Sequence, residues 1–152
     1  MPQKIFLGTD HAGFKLKGEI EKYLLGQGFN VKDMGAHSLD SDDDYVDFVV
    51  LVAKKVAEDP DENKGIILGG SGQGEAIAAN KIKGIRAAVY YGGKAEIVKL
   101  SRLHNNANIL SLGARFLSKE EALDAVKIWI ETGFSNEDRH IRRIKKINNI
   151  KQ

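Results

Sequence analysis

The sequence has no cysteine among its 152 residues, and its net charge is only +2. The absence of cysteine excludes disulfides, thiolate metal sites and a cysteine nucleophile. No apolar run approaches the roughly 18 residues that a membrane-spanning helix needs, and residues 1–5 lack the apolar region of a signal peptide. The small net charge favours binding neither to nucleic acid nor to membranes. We therefore expect a cytoplasmic protein.

The length and composition are typical of one globular domain. Hydrophobic residues make up 42% of the chain and charged residues 29%, which is ordinary for such a domain. A chain of this length buries a sizeable core. Because no repeat, linker or low-complexity segment divides the sequence, we expect a single domain over residues 1–152.

Short apolar runs alternate with amphipathic segments along the chain. The predicted strands cover residues 5–8, 29–34, 65–68, 85–91 and 107–112. The predicted helices cover residues 14–27, 45–58, 94–103, 118–132 and 137–149, with one more after residue 74. This alternation predicts a three-layer αβα fold of the Rossmann or flavodoxin type, with five parallel strands and a basic C-terminal helix.

A glycine-rich loop separates the predicted third strand from a helix. Four glycines fall within residues 69–74, followed by Glu75. Such a loop lets backbone N–H groups turn towards an anion at a helix N-terminus. Ser71 adds a hydroxyl, and Glu75 is the side chain there that can act as a base. The spacing fits neither a P-loop nor a dinucleotide fingerprint. It favours a small anionic ligand, although a tight strand-to-helix turn has the same pattern.

Sheet topology predicts a second reactive turn next to this loop. Ligands of open parallel sheets bind beyond the C-terminal strand ends, where the strand order reverses. In the common order 2-1-3-4-5 this crevice lies between strands 1 and 3, so Asp10 and His11 would face the glycine-rich loop. Asp10 can accept hydrogen bonds from hydroxyls, and His11 can donate to a hydroxyl or a phosphate. The structural alternative is an N-cap Asp beside a surface His.

Two later segments offer an acid and several cations. His104 precedes a run of amides and can act as a general acid, because the pKa of histidine lies near neutrality. Arg139 and Arg143 share one face of the last helix, and Arg142 lies only slightly further round. Paired guanidinium groups match phosphate geometry. A solvated basic face is the alternative.

The remaining sequence features are interpreted as surface residues. The run Asp40–Asp44 begins like a calcium loop, but Tyr45 and Leu51 occupy the positions where an EF-hand needs Gly and Glu. We expect a solvated loop that caps the next helix. His37 and His140 lack reactive neighbours in the sequence, so both are expected at the surface. No metal ligands cluster in the sequence, and we predict neither a metal nor another cofactor.

Together these motifs resemble the ribose-5-phosphate isomerase B family, which also contains galactose-6-phosphate isomerases. The matching segments are residues 8–13, 70–75, 77–81, 101–108, 112–115 and 139–143. The resemblance implies interconversion of an aldose and a ketose sugar phosphate through an enediolate, with ribose 5-phosphate and ribulose 5-phosphate as the expected pair. A galactose-6-phosphate or allose-6-phosphate isomerase subunit and a non-catalytic phosphate-binding domain are the alternatives.

The resemblance also implies site roles. Asp10 and His11 would contact the sugar phosphate, and His104 beside Asn105 would open the sugar ring. The enediolate would be stabilised by the loop residues Gly70, Ser71, Gly72, Gln73 and Gly74. The phosphate clamp would consist of Arg115, Arg139 and Arg143, because the family spacing selects Arg143 over Arg142. The family forms homodimers or dimers of dimers, in which the segment from His104 to Arg115 reaches the neighbouring subunit's site.

The catalytic base of the family comes from one of two positions. One branch has Cys just before the glycine-rich loop, where this chain has Gly69, and the other has Glu at the loop's end, as Glu75 is here. The chain therefore looks like the Glu-base branch. Val46 follows Tyr45 where Pro is usual, which leaves the role of Tyr45 open. A helix N-terminus lowers the pKa of a carboxyl, and we expect desolvation to offset this.

Overall fold

Five short strands form a parallel sheet at the centre of residues 3–151, the range that the computed structural model describes. The strands are β1 Lys4–Thr9, β2 Asn30–Asp33, β3 Lys64–Gly69, β4 Ala87–Tyr90 and β5 Ile109–Gly113. β3 and β5 are buried along their whole length, as expected for strands covered on both faces. The predicted domain of residues 1–152 also includes residues 1, 2 and 152, which lie outside the described residues.

Helices cover both faces of the sheet. They are α1 Phe14–Gly26, α2 Tyr45–Ala57, α3 Gln73–Ala79, α4 Glu96–Leu103, α5 Lys119–Glu131 and α6 Asp138–Asn148, and a 3₁₀ turn over His11–Gly13 joins β1 to α1. One core lies between the sheet and α1, α4 and α5, and includes the fully buried Trp129. The other lies between the sheet and α2 and α3. The predicted three-layer fold is confirmed. No helix within residues 3–151 has both the length and the apolar character to cross a membrane.

The strand order is β2-β1-β3-β5-β4, so the predicted order 2-1-3-4-5 is wrong for the last two strands. β5 pairs with β3, with Gly65 opposite Ile109. β5 is buried throughout, whereas β4 is half-buried over its first three residues. This difference is expected between an inner strand and an edge strand. The order still reverses between β1 and β3, so the crevice lies where it was predicted.

Helix α6 is basic as predicted, but its buried face differs from the expected one. Of the expected isoleucines at 141, 144 and 147, only Ile144 is buried, and Ile147 is 47% exposed. His140 is buried instead, because it lies four residues before Ile144 on the same side of the helix. The prediction that His140 is a surface residue is therefore wrong. The prediction for His37 is confirmed, since its side chain is 71% exposed.

Asn108 makes side-chain hydrogen bonds at the edge of the sheet where the strands begin. Its side chain is buried, and its Oδ1 accepts a 2.8 Å hydrogen bond from the backbone N–H of Arg86. Its amide nitrogen donates to the carbonyls of Gly84 at 2.8 Å and Pro60 at 3.2 Å. The Asn108 side chain thus supplies hydrogen-bond partners to backbone groups that precede β3 and β4. These groups lie next to the segment that carries His104.

We predict that Asn108→Ala lowers the free energy of unfolding by about 3 kcal/mol, because several buried backbone groups lose their partners at about 1–3 kcal/mol each. Urea unfolding followed by circular dichroism measures the change. The matched control is Asn148→Ala at an exposed position in α6. Equal losses in the two variants would show that the Asn108 network does not stabilise this edge.

Candidate active site

The glycine-rich loop is held in place at the C-terminal end of β3. The backbone N–H groups of residues 114 and 115 donate to the carbonyls of Gly69 at 2.8 Å and Gly70 at 3.1 Å. The buried Ser111 hydroxyl donates to the Gly72 carbonyl at 2.6 Å. Gly72 has φ = 79°, and a Cβ there would lie 3.0–3.2 Å from the β5 backbone. Only glycine adopts this positive φ without strain and also leaves room for the β5 backbone. The loop can therefore pack directly against β5.

Ser71 and Gln73 complete the loop. The backbone N–H of Gln73 lies 3.3 Å from the Ser71 hydroxyl, to which it donates. Gln73 is exposed and begins α3, and Ser71 is half-buried. Gly74 lies against the hydroxyl end of Tyr45, whose oxygen would collide with a Cβ at that position. The loop, its hydroxyl and the Tyr45 hydroxyl thus lie together at the start of α3.

The Glu75 carboxylate lies over the end of β3. A Cβ built on Gly69 would overlap both the carboxyl carbon and Oε1 of Glu75. The carboxylate therefore occupies the space in which a side chain at position 69 would begin. Position 69 must therefore be glycine while Glu75 adopts this conformation.

Glu75 has the environment of a poised base. It is only 4% exposed, and within the described residues its Oε2 has no hydrogen-bond partner. Burial raises the pKa of Glu75 above its ordinary value, the charge of Asp10 adds to this, and the nearby backbone N–H groups of Gly72 and Glu75 oppose it. Desolvation therefore outweighs the helix N-terminus, as expected.

Asp10 and His11 lie at the end of β1, beside the loop. Asp10 is buried, and its side chain accepts a 2.9 Å hydrogen bond from the backbone N–H of Ala12, so the predicted N-cap is present. His11 Nδ1 lies 2.7 Å from Asp43 Oδ1. The expectation that residues 40–44 merely form a solvated cap is thus wrong for Asp43. The N-cap residue of α2, Asp44, makes no side-chain capping bond.

Three possible metal ligands meet at this turn. Ligand atoms of Asp10, His11 and Asp43 lie within 4.8 Å of one another, a grouping that the sequence spacing does not reveal. Metal binding through His11 Nδ1 would compete with the hydrogen bond to Asp43. We assign these side chains to hydrogen bonding.

Arg115 lies above the same loop. Its guanidinium is 3.2 Å from the place where a Cβ of Gly70 would be, and its charge acts on His11. Arg115 therefore belongs with Asp10, His11 and Glu75 of its own chain. β5 runs between His104 and Arg115 and carries them to opposite edges of the sheet. The expectation that this segment reaches another subunit's site stays a prediction, and the placement of Arg115 limits it to the His104 end.

His104 and Asn105 lie at the edge where the strands begin. Arg86, just ahead of β4, donates through Nε to the carbonyls of Asn105 at 3.2 Å and Asn106 at 3.1 Å. The imidazole of His104 stacks on His140 of α6, with ring centroids 4.3 Å apart and planes 19° apart. Asn105 is exposed beside the half-buried His104. The edge at which the strands begin therefore carries the His104 imidazole and the Asn105 amide.

Helix α6 adds cations to the same edge. Arg139 and Arg143 flank His140 and are exposed, and Arg139 lies 3.3 Å from Glu137. Burial lowers the pKa of His140 below its ordinary value, His104 and Arg139 lower it further, and Glu137 opposes them. The stacked pair thus has one ring whose pKa lies below its ordinary value, beside two arginines.

The predicted site residues therefore form two groups within one chain. The first, at the C-terminal edge of the sheet, consists of Asp10, His11, Gly70, Ser71, Gly72, Gln73, Gly74, Glu75 and Arg115. The second, at the N-terminal edge, consists of His104, Asn105, Arg139 and Arg143. β3 spans the sheet between the two edges with six residues, or roughly 17 Å. One chain alone does not bring the two groups together.

Sequence reasoning missed two residues at these two groups and left a third open. Asp43 lies within a run of acids, so it did not stand out from a solvated loop. The role of Tyr45 was left open because Val46 follows it, and the structure places its hydroxyl against Gly74. His140 lies between charged residues on α6, and only its phase relative to Ile144 signals burial.

Comparison with known proteins gives a consistent result. A family model described as ribose/galactose isomerase matches residues 5–147. The ribose-5-phosphate isomerase B of Mycolicibacterium paratuberculosis is 45% identical over 141 residues, which cover 93% of this chain and 87% of the relative. The probable ribose-5-phosphate isomerase B of Mycoplasma genitalium is 42% identical over 147 residues, covering 97% and 95%.

The solved structures that resemble this chain come from the same family as these relatives. The crystal structure of ribose-5-phosphate isomerase B from Mycoplasma genitalium with bound ribulose 5-phosphate has a TM-score of 0.92 and 41% identity, covering 95% of this chain and 93% of that one. The enzyme from Thermotoga maritima has a TM-score of 0.89 and 40% identity, covering 97% and 99%.

We predict that Gly69→Ala lowers the pKa of Glu75 towards the ordinary value for glutamate. The new methyl group takes the space of the carboxylate and moves it towards water, which reduces the desolvation that raises the pKa. A carbon-detected NMR titration of the Glu75 carboxyl measures this. The control is Gly18→Ala in α1, where a Cβ meets no atom within 4 Å. An unchanged pKa in Gly69→Ala would contradict the described packing.

Proposed function

Because this chain belongs to the ribose/galactose isomerase family, we propose that it interconverts ribose 5-phosphate and ribulose 5-phosphate, with Glu75 as the base. The observation that carries the proposal is the buried carboxylate of Glu75 in the space above Gly69, beside a loop of backbone N–H groups. The choice of substrate follows the relatives, whose names state ribose 5-phosphate and one of which binds ribulose 5-phosphate.

Glu75 performs the proton transfer in this proposal. The carboxylate takes the proton from C2 of the open-chain aldose, and the C–H electron pair forms the C1=C2 bond of an enediolate while the negative charge moves to O1. The proton of the O2 hydroxyl then passes to O1, which leaves the negative charge on O2. The Glu75 acid returns its proton to C1 while the O2 electron pair forms the C2=O bond, so C1 becomes CH2OH and C2 the ketone carbon. A base with a raised pKa suits both steps, because it must hold the proton between them.

The glycine-rich loop stabilises the charge that develops on the sugar oxygens. The N-terminus of α3 and the N–H groups of Gly70, Ser71 and Gly74 supply hydrogen-bond donors, and Ser71 adds a hydroxyl. Because Ser111 and the β5 backbone fix the loop before substrate arrives, little reorganisation is needed at the moment of reaction. Asp10 accepts hydrogen bonds from the sugar hydroxyls.

A homodimer completes the site in this proposal. His104 and Asn105 of a second chain enter the crevice of the first, where His104 donates a proton to the ring oxygen as the furanose opens. Arg139 and Arg143 of that second chain hold the phosphate together with His11 and Arg115 of the first. The separation of the two groups by about the length of a strand supports this arrangement, and a two-fold interface builds two such sites.

A phosphate-binding domain without activity is the competing function. It would use the loop and the arginines but has no use for a desolvated carboxylate at position 75. The cost of burying that group favours the enzyme, since perturbed carboxyls are typical of catalytic sites. An enzyme acting on phosphorylated metabolites is consistent with the expected cytoplasmic location.

We predict that the purified chain converts ribose 5-phosphate to ribulose 5-phosphate, and that Glu75→Gln lowers kcat by about 10² or more while substrate still binds. A coupled absorbance assay measures turnover, and calorimetry measures binding. Glu120→Gln, the same change on an exposed residue of α5, is the control and retains full activity.

Two results would overturn the proposal. A much higher kcat/KM for galactose 6-phosphate or allose 6-phosphate would change the substrate. A Glu75→Gln variant that keeps most of its kcat would remove Glu75 from the role of base.

A further inference from the structure

The loop between β2 and α2 places one acid of its acidic run against His11. The Asp43 side chain is only 10% exposed, and its Oδ1 accepts hydrogen bonds from the backbone N–H of His11 at 3.0 Å and from Nδ1 at 2.7 Å. Asp43 is 32 residues from His11 along the chain. The carboxylate thus fixes both the backbone of the turn and the ring that it carries.

The other acids of the run have different roles. Asp40 accepts a 3.0 Å hydrogen bond from the backbone N–H of Asp42, and this bond is exposed. Asp42 and Asp44 are exposed. The second oxygen of Asp43 is buried. Of these residues, Asp43 is therefore the one whose carboxylate is withdrawn from water and directed at the site.

The contact with Asp43 determines which nitrogen of His11 is protonated. An ionised carboxylate has no hydrogen to donate, so Nδ1 must carry the proton in this bond. Nε2 is left for the crevice, where it accepts a hydrogen bond if the ring is neutral and donates one if the ring is charged. A phosphate dianion offers only acceptors. His11 therefore binds a phosphate well only when both nitrogens carry protons.

The charges around His11 favour the cation. The hydrogen bond to Asp43 is the largest cause that raises the pKa of His11 above 6.5, and the charges of Asp10 and Asp43 add to it. Partial burial of the ring and the Arg115 charge oppose this. Glu75 on α3 interacts with Asp10. The neighbours therefore come from the end of β1, the loop before α2, the segment after β5 and the start of α3.

We propose that Asp43 is a positioning residue that holds His11 as an imidazolium with its Nε2–H directed at the phosphate of the substrate. This inference rests on the proposed function for the identity of the ligand. Asp43 touches neither the sugar nor the phosphate, and acts through the orientation and charge of His11. Asp43 thus has a role in the site, although the sequence pattern predicts that it belongs to a solvated loop.

The test is the pH dependence of KM for ribose 5-phosphate in Asp43→Asn. The amide keeps the shape and an acceptor oxygen but loses the charge, so the pKa of His11 falls. KM is low while His11 is charged and rises as it loses its proton. The rise therefore begins at lower pH in Asp43→Asn, and KM is about tenfold higher than in the wild type at pH 7.5–8 and nearly equal near pH 6, with kcat little changed.

Two variants separate positioning from a general loss of structure. Asp42→Asn makes the same change at the adjacent exposed residue. Its KM is expected to depend on pH in the same way as that of the wild type. In His11→Asn, adding Asp43→Asn raises KM no further, because the acid has lost the ring through which it acts. A profile of Asp43→Asn that coincides with the wild type, or that is raised equally at every pH, overturns the proposal.

A measurement without turnover distinguishes this proposal from the proposed function. The NMR titration of His11 in the free wild-type protein is expected above pH 6.5, with Nδ1 protonated throughout, and sulfate is the binding probe because its charge does not change in this range. Wild type without isomerase activity but with this titration would overturn only the function. Titration of His11 at or below 6.5, or equal sulfate affinities of wild type and Asp43→Asn at pH 8, would overturn the role of Asp43.

Discussion

The site depends on the space that Gly69 leaves at the end of β3. The Glu75 carboxylate fills that space, out of contact with most water and at the start of α3. Burial raises the pKa of this carboxyl, while the helix N-terminus favours its charged form. A base that works near neutral pH needs this balance, because it must both take a proton and give it back. In the proposed reaction, the glycine loop, fixed by Ser111 and the β5 backbone, supplies hydrogen-bond donors beside Glu75.

The parallel sheet imposes the second constraint. Parallel strands end at one edge and begin at the other, so residues just before and just after β5 lie about a strand length apart. His104 comes before β5 and Arg115 after it. An acid and a base on opposite edges cannot act on one small molecule from the same chain. The proposed dimer resolves this, and in that proposal the exposed arginines on α6 bind the phosphate held by the other chain.

The layers of the fold and most of the first group could be predicted from the sequence, because alternating periodicity and a glycine-rich loop are local signals. The order of β4 and β5 could not, since both are short apolar strands and their sequences do not show which one pairs with β3. His140 was misassigned because only tertiary packing shows that it stacks on His104. Asp43 reaches His11 across 32 residues, a contact that spacing does not encode.

The most direct test of the account mixes two inactive variants, Glu75→Gln and His104→Asn, refolded together in equal amounts. Random pairing makes about half the dimers hybrid, and each hybrid then has one site with both lesions and one intact site, so about a quarter of all sites are active. Recovery of about a quarter of wild-type activity is the predicted result. A mixture no more active than the separate variants, with hybrid dimers shown to form, would contradict the claim that each site is built from two chains.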